Sequence, residues 1–127
     1  MAADPRMPIL VVEDSDMMQD LIRKCLKRFG FCDVSTAFDG SEALAAMRGR
    51  RYGLVISDWT MEPMSGYQLL REIRADPNLR GTPFIMLTGE ARQAQIAAVK
   101  EAGASTYLIK PFVPQMLKAK IDGIFRA

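Results

Sequence analysis

The sequence predicts an α/β fold in which helices cover both faces of a five-stranded parallel sheet. Short runs of aliphatic and β-branched residues alternate with longer amphipathic segments five times along the chain. The first and third runs are almost continuously apolar, which is typical of strands buried on both faces, and parallel strands need a helix-length connection. Five such βα units form a doubly wound sheet with right-handed crossovers.

The strands are predicted at the apolar runs, of which Ile9-Leu10-Val11-Val12 is the clearest. The five predicted strands are residues 9–12, 34–37, 53–58, 82–87 and 106–109.

Helices are predicted after each strand, with capping residues at their ends. Ser15 and Asp16 open the first helix, and Gly30 ends it. Asp39 opens the second helix, which continues through Met47. The remaining helices are predicted over residues 67–75, 91–102 and 113–125.

Length and composition predict one ordinary globular domain spanning residues 1–127. The chain is 49% hydrophobic and 25% charged, and its 127 residues can bury a core without disulfide or metal staples. The net charge of +2 is too small to indicate nucleic-acid or membrane binding. No apolar run has the length of a signal peptide or a membrane span, so we expect a cytoplasmic, monomeric protein.

Two residue types exclude whole classes of chemistry. The chain has no histidine, which removes imidazole metal ligands, Ser-His catalysis and histidine phosphotransfer within this chain. The two cysteines, Cys25 on the first helix and Cys32 in the loop after it, do not form a disulfide scaffold and are expected to be buried or half-buried free thiols.

Polar side chains stand at the carboxyl ends of four of the five predicted strands. They are Glu13, Asp14, Asp58, Thr88 and Lys110. In open α/β sheets the ligand site lies beyond the carboxyl ends of the strands. The positions of these five residues therefore predict that they lie together in one site.

The predicted site has the groups that phosphoryl transfer needs. Three converging carboxylates raise one another's pKa unless a cation binds them, and Mg²⁺ prefers such oxygen ligands. Asp58 can act as a nucleophile toward phosphorus. Lys110 and the Thr88 hydroxyl can contact the phosphoryl oxygens, while the metal neutralises their charge.

Six short motifs at the strand ends resemble the receiver domains of two-component signalling, and in particular their stand-alone chemotaxis members. The motifs are Val11-Val12-Glu13-Asp14-Ser15, Ile56-Ser57-Asp58-Trp59, Met64-Ser65-Gly66, Leu87-Thr88-Gly89-Glu90, Ala102-Gly103-Ala104-Ser105 and Tyr107-Leu108-Ile109-Lys110-Pro111-Phe112. The resemblance covers residues 8–125 and implies the strand order 2-1-3-4-5.

The resemblance also implies a role for each site residue. Asp58 would be the phosphoacceptor, and Thr88 and Lys110 would bind the phosphoryl group. Asp14 would ligate Mg²⁺ directly and Glu13 through a water, and the bond between Lys110 and Pro111 would be cis.

Three further residues receive roles from the same resemblance. The backbone carbonyl of Thr60 would complete the magnesium ligands. Tyr107 would be the aromatic switch residue whose rotamer follows Thr88. Thr60 and Glu90 would occupy the positions that tune the lifetime of the phosphoryl group.

The sequence departs from the family pattern in the first acidic pair and in one loop. Glu13 stands where aspartate is more common, so the sequence does not determine how a water would lie between Glu13 and the metal. The usual Met-Pro after the phosphoacceptor is replaced by Met61-Glu62-Pro63, with the proline one place late. The path of the loop after Asp58 is therefore open.

The predicted function is phosphorylation-dependent signalling. A sensor histidine kinase or a histidine-containing phosphotransfer protein would donate to Asp58. The output would be a protein contact through residues 91–127, with a chemotaxis or motility target as one possibility. We expect no output domain after Ala127. A phosphorelay shuttle or phosphate sink, and a receiver-like binding module that is not phosphorylated, are the alternatives.

Two other classes fit the sequence less well. A haloacid-dehalogenase-type phosphatase also uses an aspartate nucleophile with Mg²⁺, but it needs a second acid two residues later, where this chain has Thr60. A flavodoxin-type protein needs a Ser/Thr/Gly-rich phosphate loop after the first strand, and this chain has Glu13-Asp14-Ser15 there.

Overall fold

The sheet has the strand order β2-β1-β3-β4-β5, and all neighbouring strands are parallel. A computed structural model describes residues 3–89 and 92–125. The strands are β1 Ile9–Val12, β2 Val34–Ala37, β3 Leu54–Asp58, β4 Phe84–Thr88 and β5 Thr106–Ile109. The helices are α1 Asp16–Arg28, α2 Gly40–Gly49, α3 Gly66–Ala75, α4 Gln93–Ala102 and α5 Pro114–Phe125. The predicted fold class and strand order are confirmed.

Two apolar cores lie on the two faces of the sheet. Leu10 and Val12 point into the core shared with α2, α3 and α4, whereas Ile9 and Val11 point into the core shared with α1 and α5. Successive residues of a strand face opposite sides, so a strand covered on both faces must be apolar at every position. This explains the unbroken apolar run of β1.

The start of β4 differs from the prediction. Residues 82–87 were expected to form the strand, but β4 begins at Phe84 and includes Thr88. Pro83 has no amide hydrogen for the ladder, and the amide of Thr82 donates to the Leu79 carbonyl at 2.9 Å. Both residues therefore precede the strand, although threonine favours strands.

Smaller differences occur at four other boundaries. β3 begins at Leu54 because the amide of Gly53 donates to Pro8 outside the strand. α3 starts one residue earlier than predicted, after the N-cap Ser65. α5 starts with Pro114, a residue suited to the first helical position. α4 begins at Gln93, and its predicted first residue, Ala91, lies outside the described residues.

Arg74 joins three segments at the amino-terminal edge of the sheet. Its Nε donates to the Gly103 carbonyl at 2.9 Å, at the end of α4. Its Nη1 donates to the carbonyls of Arg80 at 2.8 Å and Thr82 at 2.7 Å, in the loop before β4. Burial lowers the pKa of this guanidinium, which has backbone carbonyls around it in place of a carboxylate. Arg74 thereby fixes α3, the loop and the end of α4 to one another.

Both cysteines are free thiols, as predicted, and Cys25 is buried on α1. The prediction that both are buried or half-buried is wrong for Cys32, which is exposed in the loop after α1. Among residues 3–89 and 92–125, no helix has both the length and the apolar character needed to cross a membrane.

Candidate functional site

Three carboxylates meet at the carboxyl ends of β1 and β3. These strands are neighbours, so Glu13 and Asp14, which follow β1, lie beside Asp58, the last residue of β3. One carboxylate oxygen from each residue lies within 4.8 Å of the others. Glu13 and Asp58 are buried, whereas Asp14 is exposed at the mouth of the site. The structure thus brings together the acidic residues predicted from the strand ends.

Lys110 supplies the positive charge of this cluster. Its Nζ lies 3.0 Å from Asp58 Oδ1 and 3.6 Å from Glu13 Oε2. The amide of Lys110 donates to the Thr88 carbonyl at 2.8 Å, which fixes the start of the loop after β5 against the end of β4. The bond between Lys110 and Pro111 is cis, as predicted.

Glu13 is the most perturbed acid of the cluster. Its Oε1 accepts the amide of Ser15 at 3.3 Å, whereas its Oε2 is buried without a hydrogen-bond partner. Burial and the charge of Asp58 raise the pKa of Glu13 to about 7, and the charge of Lys110 opposes this shift. A buried carboxylate oxygen that lacks a donor, next to two more carboxylates, is a donor set that fits a hard divalent cation.

Gln19 supports this end of the sheet and was not predicted from the sequence. Its buried side-chain amide donates to the carbonyl of Glu13 at 2.7 Å and to that of Ala37 at 3.0 Å. The amide of Glu13 also donates to the Ala37 carbonyl. Gln19 therefore fixes the backbone that carries Glu13. In the sequence, only the presence of a polar residue on the apolar face of α1 could have indicated this role of Gln19.

The loop after Asp58 is held tightly at both ends. The amide of Trp59 donates to the Leu87 carbonyl at 2.9 Å, and the amide of Gly66 donates to the Trp59 carbonyl at 2.8 Å. Ser57 Oγ donates to the Asp58 carbonyl at 2.9 Å. A Cβ on Gly66 would overlap that same carbonyl, so only glycine allows this approach.

The departure from the family pattern is accommodated within this loop. Met61 is buried in the core beneath α3, and the bond between Glu62 and Pro63 is cis. Thr60 is exposed two residues after Asp58. The role of its carbonyl as a metal ligand stays a prediction.

Thr88 and Tyr107 occupy neighbouring strands on one face of the sheet. Thr88 pairs with Ile109, and Tyr107 precedes Ile109 by two residues, so both face the core beneath α4. Thr88 is buried, and Tyr107 is half-buried with the Lys120 ammonium 5.2 Å from its ring centroid. The roles of both residues as a switch pair stay predictions.

Comparison with known proteins gives the family. Residues 9–122 match the response regulator receiver domain. The chain is 40% identical over 119 residues to chemotaxis protein CheY of Pseudomonas aeruginosa, covering 94% of this chain and 96% of that protein. The chain is also 39% identical over 119 residues to chemotaxis protein CheY-3 of Vibrio cholerae, covering 94% of this chain and 92% of that protein.

The chain belongs to the response regulator receiver domain family. Its structure resembles that of chemotaxis protein CheY4 of Vibrio cholerae with a TM-score of 0.88 at 32% identity, covering 94% of this chain and 99% of that one. The resemblance predicted from the six motifs is therefore confirmed. The family is one of signalling receivers rather than of classical enzymes.

In this receiver domain, four of the predicted site residues form one cluster and the others lie around it. Glu13, Asp14, Asp58 and Lys110 are in the cluster. Thr88 ends the neighbouring strand. Glu90, the second predicted lifetime residue, lies outside the described residues.

Proposed function

We propose that this chain is a response regulator that is activated when Asp58 accepts a phosphoryl group. The observation that carries the proposal is the 3.0 Å contact between Lys110 Nζ and Asp58 Oδ1 within a cluster of three carboxylates. A lysine that only neutralised one surface acid would not explain two further carboxylates at the same sheet edge. Together they form a site for a charged group between acidic residues and an ammonium.

In the proposed reaction, an Asp58 carboxylate oxygen attacks the phosphorus of a phosphohistidine. The new O–P bond forms as the N–P bond breaks, and the electron pair of that bond stays on the imidazole nitrogen. Lys110 stabilises the charge on the phosphoryl oxygens, and the Thr88 hydroxyl donates a hydrogen bond to one of them. The chain thereby catalyses only its own phosphorylation and, with water as the nucleophile, its own dephosphorylation.

The carboxylates fit Mg²⁺ as the proposed metal. Glu13, Asp14, Asp58 and the carbonyl of Thr60 would hold it, with Glu13 acting through a water. When bound, Mg²⁺ neutralises charge on the phosphoryl group and orients the donor. The protein itself keeps Asp58 buried and holds its carboxylate toward Lys110.

This chain has no histidine, so a phosphohistidine that donates to Asp58 must lie outside it. We propose a sensor histidine kinase or a histidine-containing phosphotransfer protein as the donor. We propose a protein target on the face of residues 91–127 for a monomeric, cytoplasmic receiver that acts as one domain. The relatives named as chemotaxis proteins support an output in motility, with a phosphorelay shuttle or phosphate sink as the second candidate.

Phosphorylation of Asp58 can be tested with a small donor. Acetyl phosphate and Mg²⁺ should add one acid-labile phosphoryl group to the wild-type protein, as measured by intact mass. Asp58→Asn keeps the shape of the side chain and removes the nucleophile, so no adduct should form. Asp122→Asn, at the far end of α5, is the matched control and should react like wild type. Equal labelling of Asp58→Asn would refute the assignment, and no labelling of wild type would favour a binding module that is not phosphorylated.

Metal binding can be followed through Trp59, the only tryptophan of the chain. Its ring stacks on Tyr67, with 5.5 Å between centroids, and its backbone adjoins Asp58. Mg²⁺ should change its fluorescence in a saturable titration, and Asp14→Asn should weaken the apparent affinity about tenfold or more. A titration without any change in fluorescence or in the amide shifts of residues 13–14 and 58–60 would contradict the metal site.

A further inference from the structure

An open cavity of about 340 Å³ lies at the amino-terminal edge of the sheet, opposite to Asp58. One wall is formed by residues 47–52, at the end of α2 and before β3. The other wall is formed by the loop of residues 76–82, between α3 and β4. The proposed phosphorylation does not use this amino-edge cavity, so an inference about it stands independently of that function.

Three arginines make the α2 wall strongly basic. They are Arg48, Arg50 and Arg51. Arg50 forms an ion pair with Asp33, and its guanidinium lies 5.4 Å from the ring centroid of Tyr52. Within residues 3–89 and 92–125, the side chains of Arg48 and Arg51 form neither an ion pair nor a hydrogen bond. Two guanidinium groups at the cavity are therefore available for an anion.

The opposite wall is already ordered by its own hydrogen bonds. Asp76 Oδ1 accepts the amide of Asn78 at 2.8 Å, and the Asp76 carbonyl accepts the amide of Leu79 at 3.0 Å. Arg74 holds the carbonyls of Arg80 and Thr82, as described above. A wall that is ordered before a ligand arrives adds little ordering cost to binding.

The charges of the two walls favour one orientation of a ligand that carries an anionic group. The carboxylate of Asp76 repels an anionic group from the loop wall, whereas Arg48 and Arg51 attract it to the α2 wall. The loop wall instead offers the side-chain amide of Asn78 and the small exposed part of the apolar side chain of Leu79, which suit an uncharged organic group. The cavity is thus matched to a ligand with one anionic end and one neutral end.

We propose that the amino-edge cavity binds a phosphorylated small molecule of about nucleotide size. Guanidinium groups match phosphate oxygens in a bidentate manner, and Arg48 and Arg51 are the anchors. The cavity volume lies within the range of small-molecule sites, which is roughly 300–1,000 Å³. An extended acidic peptide would make poor use of a concave site with a carboxylate on one wall.

ADP in a buffer containing EDTA is the probe for this proposal. EDTA removes divalent cations, so ADP cannot be held through a metal at the acidic cluster around Asp58. We expect saturable changes in the amide shifts of residues 47–52 and 76–82, with residues 13–14 and 58–60 unaffected. The double variant Arg48→Gln/Arg51→Gln should bind ADP at least about tenfold more weakly, because two charge-assisted contacts are lost.

A charge-matched control separates this site from general attraction. Arg23→Gln/Lys24→Gln removes two positive charges from α1 and should leave ADP binding unchanged. Adenosine and inorganic pyrophosphate should each bind more weakly than ADP, because each lacks one end of the ligand. The proposal fails if ADP causes no shifts, if both double variants weaken binding equally, or if either fragment binds as tightly as ADP.

Discussion

Gly66 lies against the backbone carbonyl of Asp58 so closely that a Cβ would overlap the carbonyl oxygen. This contact, together with the hydrogen bond from the Gly66 amide to Trp59, closes the loop after the proposed phosphoacceptor. The position of Asp58 therefore depends on the absence of a side chain at the first residue of α3.

Gly66→Ala should destabilise the protein by about 1–3 kcal/mol, because the new methyl group collides with backbone that cannot move aside. Urea unfolding measures this difference. Gly123→Ala is the control, since a Cβ there meets nothing within 4 Å. Alanine is the better helix former, so this variant should keep or raise stability by up to about 1 kcal/mol. Equal stabilities of the two variants would show that the loop relaxes around Gly66.

The raised pKa of Glu13 predicts that Mg²⁺ binding depends on pH. The metal requires the ionised carboxylate, so a proton on Glu13 competes with it. Affinity should rise by up to about tenfold per pH unit as the pH approaches 7, and level off above it. Trp59 fluorescence gives the affinity at each pH. Glu13→Gln should bind more weakly and lose this part of the pH dependence. A wild-type affinity that stays constant from about pH 6 to about pH 8 would contradict the assignment.

The raised pKa of Glu13 also predicts that the metal-free protein becomes less stable as the pH rises, whereas its Mg²⁺ affinity increases. The folded pKa of Glu13, about 7, lies above the ordinary value of 4.5, so the folded state holds this proton more tightly. The contribution of Glu13 to stability is therefore fully present below pH 4.5 and is lost as the pH rises through 7. Urea unfolding in EDTA should show this loss in wild type and its absence in Glu13→Gln. A loss of equal size in the variant would assign it to other groups.

Gln19→Leu should destabilise the protein by about 1–3 kcal/mol, because the buried carbonyl of Glu13 loses the donor that Gln19 provides. The exposed Gln115 on α5 is the matched control, and Gln115→Leu should change the free energy of unfolding by less than about 0.5 kcal/mol. Mg²⁺ affinity should fall in Gln19→Leu as well, since the backbone before Asp14 becomes less fixed. A loss of stability in Gln19→Leu with unchanged metal affinity would limit Gln19 to a structural role.

Thr88→Ala should leave phosphorylation of Asp58 largely intact but uncouple it from α4. Thr88 and Tyr107 share a face of the sheet, so movement of the hydroxyl toward the phosphoryl group opens space that the tyrosine ring can fill. The measurement compares amide shifts of residues 93–109 with and without beryllofluoride. Thr88→Ser keeps the hydroxyl and should respond as wild type does. Equal responses in the alanine variant would refute the coupling.

The sequence predicted what depends on local pattern and on strand ends. β1, β2 and β5 have the predicted bounds, and in β1 the continuous apolar run ends where the strand ends. The acidic cluster was predictable because parallel strands bring their carboxyl ends to one edge.

The sequence did not reveal contacts between residues that are distant along the chain. The bridge from Gln19 to Ala37 exists only because β2 lies beside β1 and α1 packs over both. The closeness of Gly66 to Asp58 likewise depends on the path of the whole loop between them. A glycine at that position is compatible with many loops, so its role follows only from the folded structure.

The anchoring of α4 by Arg74 has a mechanical consequence. Gly103, with φ of 98°, ends the helix, and its carbonyl is held by Arg74 from α3. The other end of α4 begins without a side-chain cap and follows the segment after Thr88. A conformational change near the acidic cluster would therefore displace the first turn of α4, while its last turn stays fixed to α3 at Gly103. We expect the helix to swing, with displacements that grow from its last turn to its first.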